Sequence, residues 1–501
     1  MKRQLVANYV GQSWTALMGL AFVPVYVSYL GLESYGLIGV YAILQAMLSL
    51  LDLGLTPAVG REMARFKAGA HSSISIKSLL RSIETVTVVI AALITGSIAF
   101  YSDWLAANWV KSVVLSTNTV ANAFGLMGLV TGLRFVETIY RSSLLGLQRQ
   151  VLFNVVYSVM ATLRGLGAVA VLVFISPTLQ AFFAWQVCVS LITLVCLAFL
   201  TYRSLPNDGA QGRFSATQLR KIATFSSGIV GVTLVSLVLT QTDKFLLSKY
   251  VTLSDFGVYT VAAAVAAGLY QLIHPVVQVF YPKLCELQAA GDSEGFTAHF
   301  HMGAQLIGVV AGTVAIILFF CSYQVLKLWT MDSSLAAEAA PLLSLLVLGN
   351  FLKGVTEMPY QAQLANGWTS LMLLANTCAS AVLVPSMLFV VPKYGAIGSA
   401  YIWVALNSLL VLLLSYFMHR RILRGEGRRW FWQDFVLPVV PTGCLVYFGS
   451  LMISPLHGIS LFLSLVTLSF VAAVTSILSS SLARKMLKSY LAKLVVNYRA
   501  S

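Results

Sequence analysis

The chain has 501 residues, 58% of them hydrophobic and 10% charged, with a mean hydropathy of +0.84. Soluble domains carry about 25% charged residues, so this composition excludes a cytosolic enzyme and a disordered chain. Thirty-two Lys and Arg oppose 17 Asp and Glu, a net charge of +15. In a chain this apolar, the positive-inside bias of membrane proteins is the first explanation to test for that excess.

A membrane-spanning helix takes roughly 20 residues. Long windows without charge, bracketed by Lys and Arg, predict helices at 8–30, 36–57, 82–102, 113–141, 151–175, 179–201 and 220–248. They continue at 256–282, 299–322, 338–365, 369–391, 395–418, 433–453 and 458–480. Turn residues such as Ser176-Pro177 and Ser454-Pro455 divide the longest windows. The expected fold class is thus an all-α polytopic membrane protein of about 14 transmembrane helices, with no connection long enough for a soluble domain. The segments around 58–81, 202–219, 283–298 and 419–432 read as the longest loops.

With the N-terminus in the cytoplasm, 24 of the 32 cations fall in inner segments, four in outer ones and four inside spans. This asymmetry predicts both termini on the cytoplasmic side. It also accounts for the basic charge without nucleic acid. Cys188, Cys196, Cys285, Cys321, Cys378 and Cys444 lie in or beside apolar stretches, with no C-x-x-C pair, and read as small buried hydrophobes.

The chain resembles itself at an offset of about 220. Leu30-Gly-Leu-Glu-Ser-Tyr-Gly-Leu37 matches Val251-Thr-Leu-Ser-Asp-Phe-Gly-Val258, and Glu137-Thr-Ile-Tyr140 matches Glu357-Met-Pro-Tyr360. Ala181-Phe-Phe-Ala-Trp185 matches Ser399-Ala-Tyr-Ile-Trp403. A repeat of six helices predicts two lobes related by a pseudo-two-fold axis along the membrane normal, an arrangement suited to alternating access. The expected organisation is an N-lobe at 1–203, a cytoplasmic linker at 204–219 and a C-lobe at 220–425. Two C-terminal helices within 430–480 and a basic cytoplasmic tail at 481–501 complete it.

An ionised group at the bilayer centre costs about 2.5–3.5 kcal/mol on insertion scales, so it normally faces a cavity or a partner. The candidates are Arg134 and Glu137, Arg164, Asp243 and Lys244, and Lys353 and Glu357. Arg134 and Glu137 are three residues apart, and Lys353 and Glu357 four apart, so each couple can share a helix face and pair. Arg164 has no carboxylate nearby in sequence, and guanidinium suits an anionic, phosphate-bearing ligand. Lys244 can snorkel outward; Asp243 reads equally as a gating or coupling group and as a salt-bridge partner. Asp52 is expected to bond backbone or a loop base such as Arg61, the alternative being a group that titrates in transport. His274-Pro275 is read as a kink. His299 and His301, without Cys or acid in register, are poor metal ligands; no metal or cofactor is expected. Phosphate loops, nucleophile elbows and zinc-protease motifs are absent from the sequence, so no catalytic residue is expected and the chain reads as a non-enzyme.

The run Asn8…Gly11…Pro24-x-Tyr26…Leu30-Gly-x-Glu-x-Tyr-Gly36…Asp52-Leu-Gly-Leu55…Arg61-Glu resembles the opening of bacterial polysaccharide repeat-unit flippases. These belong to the MATE-like multidrug/oligosaccharidyl-lipid/polysaccharide exporter superfamily. Gly146-Leu-Gln-Arg149…Asn154, Gln241-x-Asp243…Asp255-Phe-Gly-x-Tyr259, Tyr281-Pro-Lys283 and Tyr394-Gly-Ala-x-Gly398 resemble its later signatures, so the likeness spans about residues 5–420. The resemblance implies a flippase of the bacterial inner membrane that moves an undecaprenyl-diphosphate-linked oligosaccharide to the periplasmic leaflet for O-antigen, capsule or exopolysaccharide assembly. It implies coupling to H+ or Na+ and an association with polysaccharide polymerase machinery. Carried onto this chain, Arg134, Arg164 and Lys353 would meet the diphosphate or acidic sugars, and Glu137, Asp243 and Glu357 would serve coupling or gating. A cation-coupled drug antiporter and a lipid II flippase of the same superfamily are the alternatives. The two extra C-terminal helices and the intramembrane arginines favour the lipid-linked anionic cargo.

Overall fold

A computed structural model describes residues 11, 14–52, 54–67, 69–206 and 212–481. The basic tail expected at 481–501 lies outside them beyond Ser481, as do Lys2, Arg3 and Asn8. Among the described residues, ten helices are long and apolar enough to cross a membrane, and Trp14–Leu30 and Leu32–Leu48 are shorter apolar helices. The chain is an all-α polytopic membrane protein.

In chain order the helices are α1 (Val23–Leu30), α2 (Leu32–Leu51), α3 (Leu55–Lys67), α4 (Ser73–Phe100), α5 (Ser102–Asn108), α6 (Thr117–Gly146), α7 (Gln150–Phe174) and α8 (Leu179–Arg203). Next come α9 (Ala216–Tyr250), α10 (Leu253–Ala267), α11 (Leu269–Ala289), α12 (Ser293–Phe320), α13 (Ser322–Thr330), α14 (Ser333–Val355), α15 (Glu357–Ala365) and α16 (Ser370–Arg421). The short α17 (Gly427–Arg429) leads through a π-helical stretch, Trp430–Val436, into α18 (Leu437–Ile453), and α19 (Gly458–Ser479) follows. The chain divides into two compact units, Met1–Thr260 with Met387–Gly395, and Val261–Ser386 with Ala396–Ser501.

Several expected boundaries move, for identifiable reasons. The segment 58–81 is not a loop. Asp52 accepts the Thr56 amide on both carboxylate oxygens at 3.1 Å, Gly54 turns the chain at φ 75°, and α3 follows. Its Ala58, Val59 and Met63, at helical spacing, pack on Ile76, Leu79, Leu80 and Ile83 of α4 and Ile139 of α6. A search for charge-free windows misses it because its outer face carries Arg61, Arg65 and Lys67. Gly60 lets α6 come close: a Cβ at Gly146 would lie 2.3 Å from the Gly60 carbonyl oxygen. Ser72 caps α4 by accepting the Ser75 amide at 3.2 Å, so that helix starts nine residues before position 82.

The expected helix 256–282 is interrupted at Gly268, whereas the chain stays helical through His274-Pro275. The expected 338–365 is interrupted at Thr356, whose Oγ1 donates to the Lys353 carbonyl at 2.7 Å. The helices expected at 369–391 and 395–418 are two, as the sequence predicts: within α16 the backbone leaves helical geometry at Gly395, at φ 57°, ψ −143°.

In unit one the matched repeat segments meet each other. A Cβ at Gly36 would fall 2.1 Å from the Leu253 carbonyl oxygen, and one at Gly257 would fall 2.3 Å from that of Leu32. Leu32 matches Leu253 and Gly36 matches Gly257 in the repeat, so the contact is reciprocal, as a two-fold axis produces. Small residues at such a crossing let helix backbones approach within a membrane.

In unit two, α12 anchors the C-terminal pair. Ile316 packs with Val446, Ile453, Leu461 and Leu465 of α18 and α19. At one end of α12, buried His301 bonds Asp434 through Nδ1 and Glu426 through Nε2 at 3.0 Å. Gln305 Nε2 donates to the other Asp434 oxygen at 2.8 Å. The π-helical stretch carries Asp434, and Gly308 admits its backbone: a Cβ there would lie 2.4 Å from the Asp434 carbonyl oxygen.

Candidate functional site

The most enclosed of the ten apolar helices is α6, with 61% of its apolar window buried against 22% for α4 and α7. It carries Arg134 and Glu137. Its seat against α4 depends on Gly132, where a Cβ would fall 2.3 Å from Thr95 Oγ1, and on Thr95, whose hydroxyl donates to the Gly128 carbonyl at 3.1 Å.

Arg164 sits on α7, which is held at that level by three aromatic donors. Trp14 Nε1 bonds Thr162 Oγ1 at 2.8 Å, Trp185 Nε1 the Leu163 carbonyl at 3.2 Å, and Tyr26 the Gly165 carbonyl at 3.3 Å. Two glycines make room for their rings. A Cβ at Gly165 would overlap Phe22 at 2.4 Å and one at Gly167 would overlap Trp185 at 2.1 Å.

Within unit one, Arg134 and Glu137 border a cavity of about 440 Å³, together with Gln45, Asp52, Arg141 and Tyr157. Arg164 does not line this cavity but lies beside it, within electrostatic reach of Arg134, Glu137, Tyr41 and Tyr157. The Arg134 guanidinium is 5.7 Å from the centre of the Tyr41 ring, a cation–π contact.

Among the described residues no ion pair within 4.0 Å joins Arg134, Glu137 and Arg164. The i,i+3 pair that the spacing allows is therefore not made. Arg134 Nε, Glu137 Oε1 and Arg164 Nε and Nη2 are buried without a hydrogen-bond partner. Unpartnered polar atoms are costly in a protein interior and mark positions that a ligand or conformational change satisfies. Arg141, which is one of the 24 cations assigned to inner segments, also lines the cavity and rests on Phe153 and Tyr157 at 5.6 and 5.7 Å. Its spacing of four from Glu137 was the available signal. Asp52 bonds the Thr56 backbone, the first of the two expected roles.

Unit two arranges its charge differently. Lys353 lies between two rings, 5.4 Å from Tyr270 and 5.7 Å from Trp403. Asn350, one turn earlier on α14, holds both: its Oδ1 accepts from Trp403 Nε1 at 3.0 Å and from the Tyr270 hydroxyl at 3.3 Å. Its Nδ2 donates to the Ala266 carbonyl at 3.0 Å. Gly349 admits the indole, since a Cβ would sit 2.3 Å from it. The one-residue interruption at Thr356 lies between Lys353 and Glu357, and no ion pair within 4.0 Å forms between them. Glu357 starts α15, still within electrostatic reach of Lys353 and close also to His274 and Gln361. Tyr270, Asn350 and Trp403 were not singled out from the sequence, although Trp403 belongs to a repeat match.

Asp243 joins neither group. One carboxylate oxygen accepts the Tyr259 hydroxyl, linking α9 to α10, and Oδ1 is buried without a partner.

A family profile described as "Polysaccharide biosynthesis protein" matches residues 29–333, more than half of the sequence. The chain belongs to the polysaccharide biosynthesis protein family. A putative O-antigen transporter of Shigella flexneri is 23% identical over 418 residues, covering 83% of this chain and 97% of that protein. Two solved structures share the fold. A lipid II flippase MurJ in an inward closed conformation superposes with a TM-score of 0.66 at 15% identity, over 98% of this chain and 100% of its own. An inward-facing multidrug resistance MATE family transporter of the MOP superfamily superposes at 0.65 and 14% identity, over 83% and 96%.

Among the described residues of this family member, no cluster of three or more His, Cys, Asp or Glu is arranged to hold a metal ion. His301 is engaged by carboxylates rather than by His299. The cysteines are free; Cys321 is buried as expected, whereas Cys188, Cys378 and Cys444 are exposed on helices of the apolar exterior, where lipid takes the place of protein packing.

Proposed function

We propose that the protein is a flippase moving an undecaprenyl-diphosphate-linked oligosaccharide repeat unit from the cytoplasmic to the periplasmic leaflet, by alternating access, for surface polysaccharide biosynthesis. The observation that carries this reading is the unsatisfied guanidinium of Arg164 beside a membrane-embedded cavity bordered by Arg134. Guanidinium bonds phosphate oxygens through parallel N–H groups, and a diphosphate supplies the acceptors that both arginines lack. Lys353 is the corresponding cation of unit two. Glu137, Asp243 and Glu357 are the candidates for coupling to H+ or Na+ or for gating.

Family membership and the named O-antigen transporter relative support a polysaccharide precursor as cargo. The likeness to MurJ extends through the C-terminal helix pair, consistent with a lipid-linked substrate and with about fourteen crossings. The bias of 24 inner cations supports cytoplasmic termini in a bacterial inner membrane. A drug antiporter of the same fold is the second reading; because Asp52 and Glu137 line the cavity beside Arg134 and Arg141, the preference for a polysaccharide precursor rests on the family and on the unpartnered guanidinium of Arg164.

Deletion of the gene tests the reading. The expected result is loss of surface polysaccharide with lipid-linked repeat units accumulating on the cytoplasmic side. Intact surface polysaccharide without such accumulation would refute it.

A further inference from the structure

In unit two a cavity of about 470 Å³ opens where α16 ends and the π-helical stretch begins. Its wall on α16 is graded. Val411, Ser415 and His419 form one row at four-residue spacing, and Leu412, Tyr416 and Arg420 form the adjacent row. Eight residues of helix rise about 12 Å, so the wall passes from aliphatic to hydroxyl to cationic over that length. On the aliphatic side Leu412 is 68% exposed, facing the apolar surroundings of a spanning helix, and Phe431, next to Trp430, is 51% exposed.

The polar end is built rather than incidental. Ser415, His419 and Trp430 are 6%, 8% and 4% exposed, yet Ser415 Oγ, His419 Nε2 and Trp430 Nε1 have no hydrogen-bond partner. The hydrogen-bonding sense of each is determined by its chemistry. The indole N–H can only donate. His419 Nδ1 lies 2.7 Å from the Ser415 carbonyl and must donate to it, so Nε2 of the neutral ring is an acceptor. Arg420 donates to the Tyr416 hydroxyl at 2.8 Å and retains further N–H groups at the rim. A ligand that satisfies this set carries an anionic acceptor for Trp430 and Arg420, a hydroxyl or ammonium donor for His419, and hydrocarbon for Val411, Leu412 and Phe431. Arg421, Arg424 and Arg428 add positive potential at the same end, which attracts anionic lipid.

We propose that this cavity binds one membrane glycerophospholipid, with its phosphodiester at Trp430 and Arg420, its hydroxyl- or amine-bearing head group at His419, and its chains along Val411 and Leu412. This site is separate from the charge sites assigned to transport and does not depend on that assignment.

The test is native mass spectrometry of the full-length protein in detergent, titrated separately with phosphatidylglycerol, phosphatidylethanolamine and inorganic phosphate. The expected result is one retained phospholipid whose apparent affinity falls about tenfold in Trp430→Phe, the effect of one hydrogen bond to a charged group. Arg420→Gln, at the other group assigned to the phosphodiester, carries the same test if Trp430→Phe does not yield folded protein. Absence of a retained phospholipid, or equal retention in both variants, overturns the site. Binding of inorganic phosphate at the same residues without lipid retention overturns the lipid assignment in favour of a free anion.

Discussion

The sites around Arg164 and Lys353 each use one of a pair of tryptophans equivalent in the repeat, Trp185 and Trp403, but treat their cations in opposite ways. In unit one, α7 is fixed by Trp14, Tyr26 and Trp185 through the backbone and Thr162 on either side of Arg164, while the guanidinium itself is left with unpartnered nitrogens. In unit two the aromatic rings surround the cation: Tyr270 and Trp403 flank Lys353, and Asn350 ties them together. The tryptophans equivalent in the repeat, Trp185 and Trp403, have thus diverged from supporting a helix to facing a charge. A held but unsatisfied guanidinium is arranged to receive an anion; a caged ammonium already has much of its field occupied. On the function proposed above, the stronger anion-binding role falls to unit one.

Three measurements can break or sharpen that contrast. Arg164→Ala should lower lipid-linked oligosaccharide transport about 100-fold or more, the loss of two charge-assisted hydrogen bonds at about 1.5–3 kcal/mol each. The protein should still accumulate in the membrane, and Arg164→Lys should recover part of the activity. Normal export by Arg164→Ala would remove this residue from the mechanism and transfer the leading role to Lys353.

Asn350→Ala should have a smaller effect, about tenfold on transport, because it releases Trp403 and Tyr270 but leaves the Lys353 charge in place. Near-ultraviolet circular dichroism would follow the freed aromatic side chains. A loss as large as that of Arg164→Ala would show that the cage, rather than the bare guanidinium, is the principal binding element.

The smallest expected change is in Glu137→Gln and Glu357→Gln, a few-fold in rate at fixed gradient. Their informative readout is dependence on pH or sodium. Glu137, on the cavity beside Arg134, should govern that dependence more than Glu357; insensitivity of both variants would assign the two carboxylates a structural role.

The spans were legible because exclusion of charge from lipid acts over some twenty consecutive residues, and the intramembrane cations were legible for the same reason. Interruptions were not. Gly268 and Thr356 break helices inside windows that are uniformly apolar, and hydropathy does not distinguish a continuous helix from two shorter ones. The helix α3 was hidden by its own basic face, although Ala58, Val59, Glu62 and Met63 recur at helical spacing. The cage around Lys353 joins residues 270, 350 and 403, and only the folded chain brings them together. The missing Arg134–Glu137 and Lys353–Glu357 contacts show that spacing on a helix permits a pair without making one.

The reciprocal crossing of Gly36 and Gly257 has an evolutionary corollary. A surface that meets its own copy, with Gly36 over Leu253 and Gly257 over Leu32, is a homodimer contact contained within one polypeptide. Half of such a chain already carries the complement to a second half, so duplication and fusion can create the crossing without inventing a new interface.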